Sequence, residues 1–246
     1  MNKLLAVIIL AAGKGTRMNS NLPKVLHKIG GKPMLIHVIH SAKALNADKI
    51  VTVLGYKHEM IKEAIADKLV ECVLQLKQLG TAHAVLQCMD VLKYFEGNIL
   101  ILYGDKPLTK VETLSQLLTM HSQENATSTI LTADLPDPTG YGRIIRDSDN
   151  SLIKIVEEKD ATDDERKIKE INSGIYAFDA KTLMELLPLV GNNNKQNEYY
   201  LPDVINLIIK RNGKVAIDKI NNYIEIQGVN NIEQLTEVNE YYNNFK

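Results

Sequence analysis

Residues 4–26 read LLAVIILAAGKGTRMNSNLPKVL, an apolar run followed directly by two glycines and three cations. A run that is short and continuously apolar predicts a buried β-strand. The two glycines let backbone N–H groups approach a ligand without interference from a Cβ atom. Lys14, Arg17 and Lys24 could then bond to phosphate oxygens through charge-assisted hydrogen bonds. The stretch therefore predicts a strand that ends at a site for a multiply charged anion such as a nucleoside triphosphate.

The charge around this stretch has one sign. The first acidic residue of the chain is Asp48, and the cations before it are Lys3, Lys14, Arg17, Lys24, Lys28, Lys32 and Lys43. Such a run is usually a solvated face, but five of these cations lie within residues 14–32, in and around the glycine turn. Because carboxylates would repel an anionic substrate, their absence favours an anion site.

The bulk composition is typical of a globular protein. The chain has 246 residues, 45% of them hydrophobic, and a net charge of −1, so nothing predicts binding to nucleic acid or to an anionic membrane surface. The apolar run at residues 4–12 is too short to span a bilayer, and it leads into GKGTR rather than a cleavage site. Cys72 and Cys88 are too few for a disulfide framework or a metal cluster. These features predict a soluble, cytoplasmic protein.

Strands and helices are predicted to alternate through the first half. Strand patterns are LLAVIIL, KIVTVLG, ECVLQ and NILILYG, and helical patterns are PMLIHVIHSAKAL, HEMIKEAIADKL, TAHAVLQCMDVL and VETLSQLLTMHSQ. This alternation predicts an α/β fold, with a mixed, mostly parallel sheet covered by helices on both faces.

The second half is more polar. STILTADL, YGRIIRD and SLIKIVEEKD alternate as in a sheet that is partly open to solvent, and KDATDDERKIKE predicts an exposed loop with a short helix. INSGIYAFD predicts a strand, TLMELLPLV and YLPDVINLIIKR predict helices, and VAIDKI and YIEIQGV precede a helix from about Asn231. We therefore expect one domain with a smaller, lid-like subregion.

Two well-known phosphate loops do not fit the glycine turn. A P-loop has GxxxxGK followed by Ser or Thr, yet no glycine precedes Gly13 in the chain. A dinucleotide-binding fingerprint has GxGxxG, but Met18 stands at the third glycine position and no acidic residue closes KIVTVLG. A different class of phosphate site is therefore expected, at the carboxyl edge of the parallel sheet.

Motifs along nearly the whole chain resemble one enzyme family. LAAGKGTRM followed by LPKVL matches the signature LxxGxGTRM…PKxL of the sugar-nucleotide pyrophosphorylases. Eight motifs are similar, in the same order, to the uridyltransferase half of the bacterial bifunctional N-acetylglucosamine-1-phosphate uridyltransferase/glucosamine-1-phosphate acetyltransferases: PKVLHKIGGKPML, LQLKQLGTAHAV, LYGDKPL, DPTGYGRI, IVEEKDAT, EINSGIY, NEYYLPDVI and GVNN. The resemblance implies a Rossmann-like nucleotidyltransferase fold with a smaller sugar-binding subregion.

The resemblance also implies a reaction. UTP and N-acetylglucosamine 1-phosphate would give UDP-N-acetylglucosamine and pyrophosphate, through in-line attack of the sugar phosphate on the α-phosphorus. The catalytic residues would be Arg17, which would neutralise the triphosphate, Lys24, which would reach the α-phosphate or the attacking phosphate, and Asp105. Asp105 and Asn230 would bind Mg²⁺, the expected cofactor. Asn230 could instead be an ordinary helix N-cap.

Further positions match substrate contacts in the family. Those implied to bind the nucleotide are Leu10, Ala11, Ala12, Gly13, Lys24, Gln75, Gly80, Thr81, Tyr103 and Gly104, and those implied to bind or line the sugar pocket are Gly140, Glu157, Asn172, Glu198 and Tyr200. Glu157 could alternatively be a solvated strand residue, and its neighbour Glu158 is expected to be one. His83 is expected to support the uracil motif by packing or a hydrogen bond.

Two residues depart from the family pattern. Pro202 stands where the family usually has threonine, which would remove one hydroxyl contact to the sugar. Lys106 stands where a smaller or uncharged residue is usual, and an added cation there could shift metal affinity or touch a phosphate. We expect both to affect Michaelis constants more than the identity of the reaction.

The expected domain organisation is a nucleotidyltransferase domain over residues 1–230 and a helix over residues 231–246 that begins the family's linker. No hexapeptide repeat is present, so we expect no acetyltransferase β-helix, no acetyl transfer, and a monomer. Two alternatives stay open: a related nucleotidyltransferase that uses another sugar phosphate such as glucose 1-phosphate, and a catalytically idle regulator that binds sugar nucleotides.

Overall fold

The computed structural model describes residues 3–244, which form a nine-stranded sheet, a two-stranded hairpin and flanking helices. The strands are β1 (Leu4–Ala11), β2 (Lys28–Ile29), β3 (Lys32–Pro33), β4 (Lys49–Leu54), β5 (Val70–Leu74), β6 (Gly97–Tyr103), β7 (Ser128–Asp134), β8 (Gly142–Arg146), β9 (Leu152–Val156), β10 (Glu170–Asp179) and β11 (Val215–Ile220). The α-helices are α1 (Met34–Ala44), α2 (His58–Ile65), α3 (Thr81–Leu86), α4 (Met89–Leu92), α5 (Val111–Gln123), α6 (Asp163–Arg166), α7 (Ala180–Leu186), α8 (Pro202–Lys210) and α9 (Ile232–Asn244).

The large sheet is mixed and mostly parallel, as the sequence predicts. Its strand order is β11-β7-β10-β6-β1-β4-β5, with β8 paired to β10 and β9 paired to β8. β1 is parallel to both β4 and β6, whereas β10 is antiparallel to both β6 and β7. Seven of the nine strands therefore run in one direction, and β9 and β10 run in the other.

Alternation along β1 explains why helices cover both faces. Ala6, Ile8 and Leu10 belong to a buried cluster with apolar residues of α3, α7 and α8. Val7 and Ile9 belong to a second cluster, on the opposite face, with residues of α1, α2 and α5. Successive side chains of a strand point to opposite faces, so a continuously apolar strand must be buried on both sides.

Some predicted elements differ in detail. The segment TAHAVLQCMDVL forms two short helices, α3 and α4, because the chain tightens into i→i+3 bonds at Gln87 and Cys88, which buries Cys88. The segment YIEIQGV begins as a 3₁₀ helix at Tyr223–Ile226. No helix within residues 3–244 is long and apolar enough to cross a membrane.

The topology creates a crevice at the carboxyl edge of β1 and β6. From β1 the chain runs to β4 and β5 on one side, and it then returns to form β6 on the other side. In open α/β sheets, ligands bind where the strand order reverses in this way. The amide of Gly104, just past β6, donates to the carbonyl of Leu10 near the end of β1 at 2.9 Å. The reversed strand β10 brings its amino end, Glu170, to the same edge, opposite Asp134.

A small third cluster attaches α9 to the glycine turn. It contains buried side chains of the turn, the β2–β3 hairpin, the start of α1, the GVNN segment and α9: Met18, Ile29, Met34, Val229 and Val238. Asn239 of α9 also accepts a hydrogen bond from the Gly30 amide and donates one to the Lys28 carbonyl, both at 3.0 Å. Met18, which breaks the dinucleotide fingerprint, is therefore a core residue.

Truncating a side chain of this cluster should show how much the attachment of α9 contributes to the stability of the fold. Val238 is 1% exposed, whereas Ile232 of the same helix is 46% exposed. We expect Val238→Ala to lower the free energy of unfolding by roughly 1–2 kcal/mol, because it removes buried methyl groups. Ile232→Ala is the matched control and should change it by less than about 0.5 kcal/mol. Urea denaturation measures both, and equal losses would contradict this role of the cluster.

Candidate active site

The backbone of the glycine turn determines where the Lys24 side chain can lie. Gly15 has a φ of +61°, and a Cβ added to it would lie 2.6 Å from the Cβ of Lys24. A side chain at position 15 would therefore push the lysine stem away. Pro23 precedes the short 3₁₀ helix Lys24–Leu26, and a second such helix, Thr16–Met18, carries Arg17. The two cations thus come from two short turns that face each other across Gly15.

Four residues that the sequence predicts for catalysis or metal binding meet at the carboxyl edge. The Lys24 ammonium pairs with the Asp105 carboxylate and donates to Asn230 Oδ1 at 3.0 Å. Arg17 Nη2 donates to the same Asn230 oxygen, also at 3.0 Å. The side chains of Lys24 and Asp105 are each 14% exposed. Residues from the turn after β1, the loop after β6 and the GVNN segment therefore form one cluster.

Asp105 is a suitable ligand for a hard cation. Burial opposes ionisation of its carboxyl, but the charges of Lys24 and Lys106 outweigh burial and lower the pKa. Its Oδ1 atom is buried and has no hydrogen-bond partner among residues 3–244. Residues 3–244 contain no group of three or more His, Cys, Asp or Glu side chains arranged for a metal. The donor set, one carboxylate and one amide oxygen, fits Mg²⁺, which usually takes few protein ligands and completes its shell with phosphate and water.

Asn230 does not cap the helix that follows it. The residue that accepts a hydrogen bond from the Gln234 amide is Asn231, at 2.8 Å, just before α9 begins at Ile232. The Asn230 side-chain oxygen instead accepts from Lys24 and Arg17. The N-cap alternative for Asn230 is therefore wrong, and its amide oxygen is available at the cluster.

The residues expected around uracil form a second group beside the crevice. Gln75 is 3% exposed, and its Nε2 lies 3.0 Å from both the Gly80 carbonyl and His83 Nδ1. A Cβ at Gly80 would lie 2.4 Å from the Tyr199 carbonyl oxygen, so only glycine fits there. The Thr81 hydroxyl accepts from the Leu201 amide at 2.9 Å. His83 therefore contacts this group directly, as expected.

The remaining nucleotide positions lie at the edge between β1 and β6. Leu10, Ala11 and Ala12 are buried, and Gly13 is exposed beyond them. Gly13 has no heavy atom within 4 Å of an added Cβ, so its surface is open. Tyr103 is largely buried, and burial strongly raises the pKa of its hydroxyl. The Gly104 amide donates to the Leu10 carbonyl and so joins the carboxyl ends of β6 and β1.

On the sugar side, Glu157 and Asn172 converge at Gly142. A Cβ at Gly142 would lie 3.2 Å from Glu157 Oε1 and 3.5 Å from Asn172 Cβ. The Asn172 side chain donates to the Tyr176 hydroxyl at 2.6 Å and accepts from the Gly174 amide at 3.1 Å. Asn172 thereby supports the irregular part of β10 between residues 172 and 176.

Two further residues of the sugar set contribute less direct contacts. Gly140 lies in an exposed turn before β8, with a φ of +85° and no atom within 4 Å of an added Cβ. Glu198 bonds to Asn194 through its backbone amide and carbonyl, at 3.1 and 2.6 Å. The contacts of Glu198 are thus made by its backbone, and Gly140, which has no side chain, can offer only backbone groups to a ligand.

Glu157 has an unusual carboxyl for a strand end. Burial, together with the negative charges of Asp203, Asp160 and Glu198, raises its pKa to about 7 against the opposing charge of Arg143. It is therefore not an ordinary solvated residue. The carboxyl can change its charge near neutral pH, which matters for any hydroxyl group that it binds.

The expectation that Glu158 is a solvated strand residue is wrong. Its carboxylate forms an ion pair at 2.7 Å with Arg143, whose side chain is 1% exposed. Arg143 also donates to the carbonyls of Tyr141 and Arg166. A buried guanidinium requires such compensation, so Glu158 has a structural function at the base of the β8–β9 hairpin.

Tyr200 and Pro202 line an open groove of about 420 Å³ next to Glu157. Tyr200 is 8% exposed, its hydroxyl accepts from Gln196 at 2.7 Å, and burial raises its pKa to about 12. Pro202 is buried at the first turn of α8, where a residue without an N–H is favoured. Pro202 therefore has a helix-start role, and it provides no hydroxyl to the groove.

Lys106 does not contact the anion cluster with its ammonium group. The side chain is buried, and Nζ donates to the carbonyls of Ser173 at 2.6 Å and Ile226 at 2.8 Å. The rings of Tyr103 and Tyr141 lie 5.6 and 5.5 Å from Nζ. Burial lowers its pKa to about 8, although Asp105 opposes this shift.

Sequence reasoning missed several residues that shape the site. Tyr199 contributes backbone groups: its carbonyl accepts from the Ala82 amide at 2.9 Å, and its amide donates to the Leu79 carbonyl at 2.8 Å. Its ring centroid also lies 6.3 Å from that of His83. A backbone contribution leaves no side-chain signal in a sequence. Arg143 could have been suspected, because a cation at an inward-facing position of a strand such as YGRIIRD requires a partner.

The pKa of Glu157 predicts a pH dependence of stability. The folded state retains a proton that the unfolded state, with a pKa of 4.5, has already released, so stability should fall as pH rises from about 4.5 to 7. Glu157→Gln has no carboxyl group to titrate, so the variant should not lose stability in this way. The free energy of unfolding of the variant relative to wild type should increase from pH 5 to pH 8 by roughly 1–3 kcal/mol.

Urea denaturation across that pH range measures the difference. Glu63→Gln, on the exposed face of α2, is the matched control and should show no such trend. A constant difference for Glu157→Gln at all pH values would contradict the raised pKa.

Comparisons with known proteins identify the family of this chain. The family model described as "Nucleotidyl transferase" matches residues 6–238. Two curated relatives, each described as "Bifunctional protein GlmU", come from Alkaliphilus metalliredigens, 50% identical over 236 residues, and Streptococcus agalactiae serotype V, 49% identical over 223 residues. They are matched over 96% and 91% of this chain and 51% and 48% of their own lengths. The chain thus spans about half the length of these relatives.

A solved structure shares the fold. A crystal structure titled as a glucose-1-phosphate thymidylyltransferase from Bacillus anthracis, in complex with sucrose, aligns with a TM-score of 0.77 over 98% of this chain and 96% of that chain. The two sequences are 19% identical, so this comparison supports the architecture alone. Because the family model covers almost the whole chain, from β1 to α9, the chain belongs to the nucleotidyl transferase family.

Proposed function

We propose that the chain transfers UMP from UTP to N-acetylglucosamine 1-phosphate, with Mg²⁺ as the metal, giving UDP-N-acetylglucosamine and pyrophosphate. The observation that carries this proposal is the convergence of Arg17, Lys24, Asp105 and Asn230 on one point of the carboxyl edge. The ordered motifs of the sequence and the two GlmU relatives support the choice of substrates.

The cations would stabilise charge on the triphosphate. Lys24 and Arg17 both lie within hydrogen-bond distance of Asn230 and beside the open glycine turn. Phosphate oxygens would replace these partners and accept charge-assisted hydrogen bonds from both side chains. As pyrophosphate leaves, negative charge grows on it, and cations fixed in advance stabilise that charge without reorganisation.

Asp105 and Asn230 would hold the metal. Bound Mg²⁺ would neutralise phosphate oxygens and orient the triphosphate for in-line attack. The buried Asp105 Oδ1 and the shared Asn230 oxygen would supply the protein ligands. Lys24 now holds both residues together, and its ammonium would move from Asp105 to a phosphate when the substrates bind.

The group of residues around Gln75 would bind the nucleotide base, and the group around Glu157 would bind the sugar. Gln75 and Gly80, whose side-chain amide and carbonyl lie 3.0 Å apart, would offer amide and backbone groups to the uracil edge. Glu157, as a carboxylate, would accept hydrogen bonds from sugar hydroxyl groups above the cluster. Because carboxylates bind hydroxyls more strongly when ionised, sugar binding should weaken below pH 7.

Pyrophosphate release from UTP and N-acetylglucosamine 1-phosphate tests the proposal. We expect release that requires Mg²⁺, and Asp105→Asn should lower kcat/KM by at least about 100-fold, because it removes the charged metal ligand. Asp48→Asn is the matched control: Asp48 accepts from the Leu5 amide at the opposite edge of the sheet, and this variant should retain activity. Equal activity of Asp105→Asn and wild type would contradict the metal assignment.

Substrate choice separates the alternatives. Glucose 1-phosphate in place of N-acetylglucosamine 1-phosphate should react more slowly, and equal rates would contradict the assigned sugar. Binding of UTP without pyrophosphate release from any sugar phosphate would favour a regulator. The cytoplasmic location and the monomeric state stay predictions from the sequence.

A further inference from the structure

Lys106 joins three segments at the carboxyl edge. Its backbone follows Asp105 directly, and its buried ammonium donates to the Ser173 carbonyl of β10 and to the Ile226 carbonyl at the end of the Tyr223–Ile226 turn. Ser173 follows Asn172, one of the sugar-side residues, and Ile226 lies four residues before Asn230. The Lys106 ammonium thus connects the loop that carries Asp105 to the segment before Asn230 and to the part of β10 next to Asn172.

Other bonds fix the same segment but do not reach β10. The Val229 amide donates to the Asp105 carbonyl at 3.0 Å, and the Thr109 hydroxyl donates to the Glu225 carbonyl at 2.8 Å. Both join the segment before α9 only to the loop after β6. The Lys106 ammonium adds a hydrogen bond from the loop after β6 to the Ser173 carbonyl, in the irregular part of β10 between residues 172 and 176.

A buried ammonium at this position is costly unless it has partners. Its charge also lies close to Asp105, and that charge alone would repel a divalent cation. Two carbonyls and the faces of two tyrosine rings compensate the burial. An uncharged side chain of similar length would avoid the burial cost and the repulsion, but it would lose both hydrogen bonds.

We propose that Lys106 is a positioning residue for the metal site: its two hydrogen bonds hold the loops that carry Asp105 and Asn230 at the spacing required to bind one divalent cation. This inference rests on the proposed function, because it assumes that the two residues bind a metal. It makes a prediction opposite in sign to simple charge repulsion. Removing the cation should weaken metal binding, whereas Coulomb repulsion alone predicts that metal binding becomes tighter.

The test uses UTP and Mn²⁺ without a sugar phosphate, so that binding is measured without turnover. Isothermal titration gives the dissociation constant of UTP with Mn²⁺ and with EDTA, and the EDTA value divided by the Mn²⁺ value reports the contribution of the metal. In wild type this ratio should exceed about ten. In Lys106→Met it should fall roughly tenfold, the loss typical when a group that orients metal ligands is removed. The UTP affinity in EDTA should change little.

Lys49→Met is the matched control. Lys49 also donates to a backbone carbonyl, that of Val91 at 2.6 Å, but it lies at the start of β4, at the opposite edge of the sheet. This variant should keep the wild-type ratio. Hydrogen exchange provides a second readout: the Val229 amide should exchange faster in Lys106→Met than in Lys49→Met, because the segment before Asn230 is less constrained.

An unchanged or larger Mn²⁺-dependent ratio in folded Lys106→Met would overturn the inference. If that variant does not fold, Lys106→Gln serves instead: its amide nitrogen is one bond closer to the backbone than the ammonium and cannot reach both carbonyls, so its ratio should also fall, and an unchanged one would overturn the inference equally. Failure of the proposed function would look different. Wild type would then show no Mn²⁺-dependent gain in UTP affinity, or Asp105→Asn would retain the whole gain.

Discussion

The contact between Lys24, Asp105 and Asn230 is the constraint on which the site depends. A carboxylate at the end of a buried strand is unfavourable unless a cation compensates it. Lys24 provides that cation, and Asn230 accepts a second hydrogen bond from the same ammonium. Gly15 permits the approach, because any side chain there would collide with the lysine stem. The residues that stabilise the fold at this edge are therefore the same residues that are proposed to bind substrate and metal.

The reversed strand β10 joins the two halves of the molecule. β10 pairs with β6 near its carboxyl end, and its amino end carries Asn172 to the edge where β6 ends at Tyr103. The register shift between Asn172 and Tyr176 makes room for Gly174 against the Tyr103 ring, since a Cβ there would lie 2.7 Å from it. A sheet with all strands parallel would leave this edge to loops alone. The antiparallel strand β10 instead supports the β8–β9 hairpin at this edge.

Buried charges outside the central cluster stabilise loops. Arg143 at the base of the β8–β9 hairpin pairs with Glu158 and bonds to two carbonyls. Lys106 bonds to two carbonyls in the same way. In both cases one cation satisfies acceptors from segments that share no strand pairing. Long irregular segments contain many carbonyl groups that lack ladder partners, and a buried cation satisfies several of them at once.

Much of this protein is determined by its sequence alone. The apolar run at residues 4–12 requires burial on both faces, and this predicts the central strand and the helices on each side. The cations around Gly15 and the carboxylate of LYGD predict the chemistry of the edge, because residue type limits which ligands a group can bind. The break between α3 and α4 was not predicted, and neither was the ion pair of Glu158, which depends on Arg143 of β8.

Only the tertiary structure decides which groups meet. The pairing of Asp105 with the segment of Asn230 depends on strand order, which the periodicity of a short segment does not encode. The direction of the Lys106 side chain depends on which carbonyls remain unpaired nearby, and the raised pKa of Glu157 depends on the carboxylates that surround it. The backbone groups of Tyr199 have no signature in any side chain. Sequence thus determines the kinds of groups available, and the fold determines the distances between them, because those distances come from contacts between segments that are far apart along the chain.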